Sequence, residues 1–309
     1  MSMQSPENKE NTQFIPPPTP LLKKIGFGTG VSVYHLDRSP CNHTLRSPWA
    51  LKTVNRQHTA SHFQERLEAE AKILQELNHP NIVGFRGFTK TQDGRKVLAM
   101  EECNESLGDL IERLSDKGGV RFEPEKILAV VGGVAKALKY LHEDKGLLHG
   151  DLKSFNVLIK GDFEEVKLCD FGVSLDLTTA RVEDYVGTGA WMAPEALEEE
   201  GPVTEKADIF SLGLVIWEML TLKIPNTTDD YNDVSLSESF NSSLIECDQH
   251  YGETPPLPAG LPTRYSLVTE VYQWCTQQDP RLRPRARDIL AVLASNGVPL
   301  EKQPVQITI

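Results

Sequence analysis

Three short segments in fixed order constrain this chain more than any other feature: His149-Gly150-Asp151-Leu152-Lys153-Ser154-Phe155-Asn156, then Asp170-Phe171-Gly172, then Ala193-Pro194-Glu195. Each, taken alone, reads as an ordinary polar loop. Together, and in this order, they stop being explicable as unrelated loops.

The sequence around them changes texture. Residues 1–20 are polar and then proline-rich (Pro16, Pro17, Pro18, Pro20), too poor in apolar surface to offset their ordering entropy, and read as a disordered tail. From Leu21 to Met100, short β-branched runs with turn punctuation surround one strong helix at about Phe63 to Leu77, the pattern of a small sheet carrying one helix. From about Ser106 the signal turns helical: Ile127, Val131, Val134, Leu138 and Leu141 fall on one face at spacings of four and three. Lys206 to Leu222 is apolar nearly all round, as a helix at the centre of a helical lobe would be. Residues 224–260 are acidic and rich in Ser, Asn and Pro, the character of a surface insertion.

With 309 residues and 39% hydrophobic content the chain can bury one large core or two unequal ones. Its 32 Lys and Arg against 44 Asp and Glu give a net charge of −12, which argues against a protein held chiefly to nucleic acid or anionic lipid. Small molecules and other proteins are the expected partners. Cys41, Cys103, Cys169, Cys247 and Cys275 form no CxxC pair and no zinc-like group, so a reducing compartment fits. The first residues, MSMQSPENKENTQF, lack a signal core, and the most apolar later run, Leu212 to Leu222, is short and contains Glu218. A soluble protein of the cytoplasm or nucleus, away from membranes, is the expectation.

Gly26-Phe27-Gly28-Thr29-Gly30-Val31-Ser32-Val33 lies between two expected strands. Glycines there let backbone amides approach phosphate oxygens with no Cβ in the way, although a plain glycine-rich hairpin has the same composition. Lys52 ends the apolar strand Trp49-Ala50-Leu51-Lys52, where a lysine is commonly a solvated edge residue. Glu70 shifts that balance: it comes three residues after Leu67 and four before Leu74, on the apolar side of its helix, where a carboxylate needs a buried partner. Pairing with Lys52 would satisfy both and aim an ammonium at a phosphate. Glu65 and Glu68 project elsewhere and read as solvated charges.

These residues and the three ordered segments resemble the protein kinase family across residues 21–300. The resemblance implies an α+β, two-lobed fold: a small, mainly β N-lobe with one helix (21–102), a larger helical C-lobe (103–300), and ATP in the cleft between them. Carried over residue by residue, Asp151 is similar to the catalytic aspartate and Lys153 to the lysine with which serine/threonine kinases steady the γ-phosphate. Asn156 and Asp170 resemble the metal ligands, hard oxygen donors suited to Mg²⁺. ATP would be bound by Gly26, Gly28, Gly30, Val33, Ala50, Lys52, Glu70, Met100, Glu101 and Cys103, with Met100 as gatekeeper and the backbone of Glu101 and Cys103 meeting adenine. Thr188 is similar to the threonine of the substrate-side wall. Glu195 and Arg283 resemble a buried ion pair, and Asp208 an aspartate holding the catalytic loop from behind. Phosphoryl transfer asks the protein for positioning and charge neutralisation more than covalent help, and these groups suffice for that.

Four stretches, Ser47 to Lys52, His149 to Ser154, Val157 to Glu164 and Lys206 to Phe210, resemble a narrower MAP-kinase-kinase-like, mitotic branch whose members act on serine/threonine or with dual specificity. MAP kinases are accordingly expected among the protein substrates. The branch takes one of its names from PDZ binding, and Ile307-Thr308-Ile309 offers an apolar terminus for strand addition in a PDZ groove, although Ile307 stands where a hydroxyl residue is commoner. Thr19-Pro20 and Ser5-Pro6 are minimal proline-directed phosphorylation sites.

Two departures stand out. Gly150 replaces the family's usual arginine, which clamps a phosphate on the activation segment, so phosphorylation at Thr178, Thr179 or Tyr185 should couple weakly to this loop. In the glycine loop the third family glycine is expected where Val31 stands, and Gly30 comes one residue early. These departures keep open an alternative, a pseudokinase scaffold acting through its insertion and its residues 301–309.

Overall fold

The structure is a computed structural model, and it describes residues 22–28, 30–41, 44–55, 61–91, 93–198, 200–227 and 250–300. The expected tail with Ser5 and Thr19, the bulk of the acidic insertion, Thr29, Cys41's side chain, Cys247 and Ile307 to Ile309 lie outside the described residues. The chain divides into two units, one holding residues up to Leu77 with Gly84–Glu102, the other Asn78–Val83 with Cys103 onward.

The small unit is an antiparallel sheet of β1 (Lys23–Gly28), β2 (Val31–Cys41), β3 (Thr44–Val54), β4 (Phe85–Lys90) and β5 (Lys96–Glu101), in the order β1-β2-β3-β5-β4, with α1 (Ser61–Glu76). Gly28 pairs with Val31, so β1 and β2 form a tight hairpin, and Gly30, beside Val31, has φ +74°. Such hairpins demand left-handed backbone, and a Cβ on Gly30 would also stand 2.6 Å from the Phe63 ring of α1. Gly30 is therefore early relative to the family pattern because it is the turn residue.

Register then sorts the sheet's faces. Trp49, Leu51, Val97 and Ala99 pack on one side with Leu22, Tyr34 and Leu36, and the Arg38 guanidinium lies 4.1 Å from the Trp49 ring centre. By the two-residue alternation, the opposite face carries Val33, Ala50, Lys52, Leu98 and Met100, through the pairs Gly26↔Val33, Val33↔Lys52, Lys52↔Leu98 and Ala50↔Met100. In α1, Leu67, Glu70, Ala71 and Leu74 are all buried, the spacing of one helical face.

The large unit is built around α4 (Lys206–Thr221), buried continuously from Ala207 to Leu220. Its other helices are α2 (Leu107–Asp116), α3 (Pro124–Lys139), α5 (Ser266–Cys275) and α6 (Ala286–Ser295). Ser106 caps α2 by accepting from the Asp109 amide. The apolar stripe Ile127, Val131, Val134, Leu138 and Leu141 is buried as its spacing predicts, and α3 runs on through a wider π-type turn, Tyr140–Lys145, to Gly146. Short strands complete the unit: β6 (Glu105–Ser106), β8 (Val157–Lys160) and β9 (Glu165–Leu168) in one sheet, β7 (Leu147–Leu148) and β10 (Leu175–Asp176) in another. Residues 78–83 are held here by bonds from Asn81 Nδ2 to the Val166 carbonyl (2.8 Å) and from Lys167 Nζ to the Pro80 carbonyl (2.9 Å).

The described end of the expected insertion is tied in. Trp217 Nε1 donates to the Pro256 carbonyl at 2.9 Å, Thr254 Oγ1 to the Thr276 carbonyl at 2.7 Å, and Gly252 is buried against Pro194. Pro255 and Pro256, inside the stretch expected as a surface insertion, supply carbonyls to the Tyr272 hydroxyl and the Trp217 indole. Among the described residues no helix is long and apolar enough to cross a membrane.

Candidate active site

In the small unit, Lys52 Nζ lies 2.8 Å from Glu70 Oε2, with both side chains nearly out of solvent. The solvated-edge reading of Lys52 therefore fails, because α1 brings a carboxylate to it. Glu68 keeps to the surface as expected and there also pairs with Lys96 on β5 and with Lys72, cations that hold its carboxyl below the usual range. Lys96 further donates through its amide to Gln64 Oε1 (3.0 Å) and through Nζ to the Gln64 carbonyl (3.2 Å). Helix α1 thus has two attachments to the sheet, one through β3 and one through β5. Met100 and Ala50 are buried, whereas Glu101 is partly buried and turns its carboxylate toward Arg86 and the Gly84 amide. A Cβ on Gly26 would meet Val33 at an ordinary 3.7 Å, so sterics alone do not demand glycine there.

In the large unit, the His149 to Asn156 segment is anchored from behind. Asp208, fully buried near the start of α4, accepts from the amides of His149 (2.9 Å) and Gly150 (3.1 Å) and contacts His142 Nε2 at 2.8 Å. Burial alone would push this carboxyl up, but the hydrogen bond and charge of His142, with the charge and amide of His149, hold it below the usual range. Gly150 has φ +81°, and a Cβ there would sit 2.9 Å from the Val173 carbonyl oxygen. His149 Nε2 meets the Cys169 carbonyl at 3.0 Å, and its ring stands edge-on to Phe171.

On this support Asp151 is gripped by four donors. Its Oδ1 accepts from the Thr188 amide (3.0 Å) and Thr188 Oγ1 (2.6 Å), while Oδ2 faces Lys153 Nζ (2.9 Å) and Asn156 Nδ2 (3.2 Å). Lys153 Nζ also donates to Thr188 Oγ1 at 2.6 Å. Asn156 Nδ2 bonds the Asp151 carbonyl at 2.8 Å, so Oδ1 is the atom of this side chain able to face a cation. Asp170 takes φ +64°, a backbone state uncommon outside glycine and concentrated at functional positions. No cluster of three His, Cys, Asp or Glu able to hold a metal occurs among the described residues. An amide oxygen plus one carboxylate suits Mg²⁺, which keeps waters and takes its remaining oxygens from phosphates. Cys103, at the start of the large unit, is partly buried.

The segment from Asp170 to Glu195 is fastened along its length. Strand β10 pairs with β7, Asp176 accepts from the Thr178 amide and hydroxyl (2.8 and 2.6 Å), and Arg181 bridges to Pro202. Tyr185, weighed above as a phosphate acceptor, is buried, and burial pushes its hydroxyl well above the usual range. It serves as a packing residue here, while Thr178 and Thr179 are exposed. Arg283 grips Glu195 with both terminal nitrogens (2.6 and 2.8 Å) and donates to the Lys206, Gln277 and Gln278 carbonyls, with its guanidinium 4.8 Å from the Phe210 ring.

Glu218 is a member of this site that the motifs do not reveal. Its oxygens accept from Ser154 Oγ at 2.8 Å and Trp191 Nε1 at 2.7 Å, joining α4 to the catalytic loop and to the segment before Glu195. Burial pushes its carboxyl up to about 8 despite those two bonds. The available signal was a lone acid inside the apolar run Leu212 to Leu222.

Known proteins show the same pattern. The model of the protein kinase domain matches residues 20–292. Human lymphokine-activated killer T-cell-originated protein kinase is 45% identical over 293 residues, 91% of each chain. Mitogen-activated protein kinase kinase kinase 13-B of Xenopus laevis is 36% identical over 228 residues, 74% of this chain but 22% of that protein. The rat mitogen-activated protein kinase kinase kinase 12 is 36% identical over 224 residues, 72% of this chain and 23% of the relative. This chain therefore spans nearly all of the first relative and about a fifth of the other two. A buried lysine-glutamate pair between strand and helix, an aspartate held by threonine and lysine, and a matching domain along almost the whole sequence have one common explanation: this chain belongs to the protein kinase family.

Proposed function

We propose that the chain is an active kinase transferring the γ-phosphate of ATP to serine and threonine hydroxyls of proteins, with tyrosine as a further acceptor, in a MAP-kinase-kinase-like signalling role during mitosis. The observation that carries this reading is the closed contact among Asp151, Lys153 and Thr188. A carboxylate, an ammonium and a threonine hydroxyl within hydrogen-bonding reach of one another support acceptor positioning and charge neutralisation.

In this reading Asp151 orients the substrate hydroxyl and takes its proton as the oxygen bonds to the γ-phosphorus, while the bond from that phosphorus to the bridging oxygen breaks and ADP leaves. Lys153 neutralises charge on the transferred group. Lys52, kept in place by Glu70, does the same for the remaining phosphates. A magnesium ion on Asn156 and Asp170 would offset the charge between neighbouring phosphates. The pseudokinase alternative has every catalytic position against it, since each is filled by a residue able to act.

Activity without activation-segment phosphorylation is part of the proposal. Gly150 offers no clamp for a phosphate, and Asp176, Arg181 and buried Tyr185 already fasten the segment. MAP kinases as substrates belong to the same proposal, supported by the narrower motif resemblance and by the names of the kinase relatives. A cytoplasmic or nuclear site of action and PDZ recognition of Ile307 to Ile309 belong to it on the sequence alone.

The test is transfer of labelled γ-phosphate by purified, phosphatase-treated protein to an array of serine, threonine and tyrosine peptides, with Asp151→Asn as control. Magnesium-dependent labelling of serine and threonine peptides, absent in the variant and with EDTA, is expected. No labelling by folded protein, or labelling equal in the variant, would sink the reading.

A further inference from the structure

On β2, two residues beyond Val33 and on the same face of the sheet, His35 lies between two carboxylates. Its Nδ1 is 2.7 and 2.8 Å from the two oxygens of Glu102, and its Nε2 is 2.9 Å from Asp37 Oδ1. Both ring nitrogens can donate only in the imidazolium, so this geometry favours the charged form. The Glu102 hydrogen bond, and after it that of Asp37, raise the histidine above its ordinary 6.5 against a smaller cost of burial. The facing residue on β1 is Lys23, a cation, and the facing residue on β3 is uncharged Ala50. Glu102 directly follows Glu101, and both close the small unit's chain at the end of β5.

We infer that His35, acting through Glu102, is a positioning residue for the nucleobase: the pair fastens the end of β5 to β2, so that the backbone polar groups of Glu101 meet the base already oriented. This rests on the nucleotide-binding reading above. A strap of this kind improves binding by lowering the ordering cost on association, without touching the base. Its effect falls on KM for ATP and on nucleotide affinity, with kcat at saturating ATP little changed. The paired side chains are 25% and 17% exposed, so the change is moderate, about three- to tenfold. Because pairing favours the protonated imidazole, the strap is complete below the ordinary 6.5 and is lost as pH rises through the raised value. Affinity therefore falls toward alkaline pH.

The experiment is titration calorimetry of the full chain with magnesium ADP from acid to alkaline pH, for the unaltered protein and for His35→Gln, Glu102→Gln and Asp37→Asn, with KM and kcat measured alongside. The unaltered protein should weaken about three- to tenfold across the series. His35→Gln and Glu102→Gln should bind at every pH as the unaltered protein does at the alkaline end. Asp37→Asn should keep the profile with its midpoint moved down. Titration of the diphosphate itself is common to all four proteins and cancels between them. Nucleotide uptake with the same pH profile in His35→Gln overturns the strap and leaves the kinase reading standing. A fall in kcat that tracks lost thermal stability also overturns it, in favour of a general structural role. No uptake by the unaltered protein at any pH overturns the kinase reading beneath it.

Discussion

In the small unit the functional charge stands on regular structure: Lys52 on a strand, Glu70 on a helix, one ion pair at 2.8 Å between two elements whose faces are fixed by alternation and helical spacing. In the large unit it stands on a loop: Asp151 is set by donors from Thr188, Lys153 and Asn156, on backbone that Asp208 holds from the far side. The first arrangement centres on one ion pair between two elements. The second spreads the same task over many bonds, none of them within an element. Removing a single group should therefore separate chemistry from packing in the large unit and entangle them in the small one.

The sharpest way to break that contrast is to compare Asp151→Asn with Lys52→Met. Asparagine keeps the size of Asp151 and can still accept from Thr188, so turnover should fall about 10²–10⁴-fold, while nucleotide affinity and melting temperature stay close to normal. Methionine at 52 should lower turnover comparably, weaken nucleotide binding, and lower the melting temperature, because Glu70 is left buried without its ammonium. Initial rates, calorimetry and thermal melting on the same preparations decide it. If Asp151→Asn melts as early as Lys52→Met, the loop is not independently supported and the contrast is void.

A second comparison sits wholly in the large unit. Arg283 is 2% exposed and bonds both oxygens of Glu195 and three carbonyls. Arg283→Ala leaves all of these acceptors without their donor, and should cost about 3–5 kcal/mol. Glu195→Gln, which can still accept one of the two bonds, should cost less. Urea unfolding followed by tryptophan fluorescence reads this, since Trp191 and Trp217 are buried in the large unit. Equal losses in the two variants would show that the carbonyl bonds contribute nothing.

The same difference between the units governs what could be seen from sequence. Lys52 and Glu70 were legible because Leu67, Glu70 and Leu74 fall on one helical face, so a buried acid announced its need for a partner. The catalytic loop was legible only as a motif, since nothing periodic in residues 149–156 says that Thr188, 37 positions beyond Asp151, will bond it. Tyr185 is misread for that cause: it looks available for phosphorylation because its burial depends on α4. The pairing of Glu68 with Lys96, 28 positions away, is equally invisible, although the carboxylate stays at the surface as its spacing implies. Glu218 stayed hidden for the same reason, its partners Ser154 and Trp191 lying 64 and 27 positions away. Local composition carries no trace of a partner at such separations.

The smallest expected effect tests the small unit's turn. Alanine at Gly30 must hold a left-handed backbone, which costs about 1–2 kcal/mol, and its Cβ must also displace the Phe63 ring. The two costs can be told apart: in a Phe63→Ala background the steric part disappears and the backbone part remains. Gly30→Ala should therefore destabilise the small unit more in the native background than with Phe63 removed, by hydrogen exchange at the amides of β1 and β2. Because Asn55 donates to the Gly30 carbonyl at 2.8 Å, loosening the turn should also speed exchange at Asn55. If the Gly30→Ala cost is the same in both backgrounds, the ring does not brace the turn, and α1 is coupled to the sheet through its ion pairs with β3 and β5 instead.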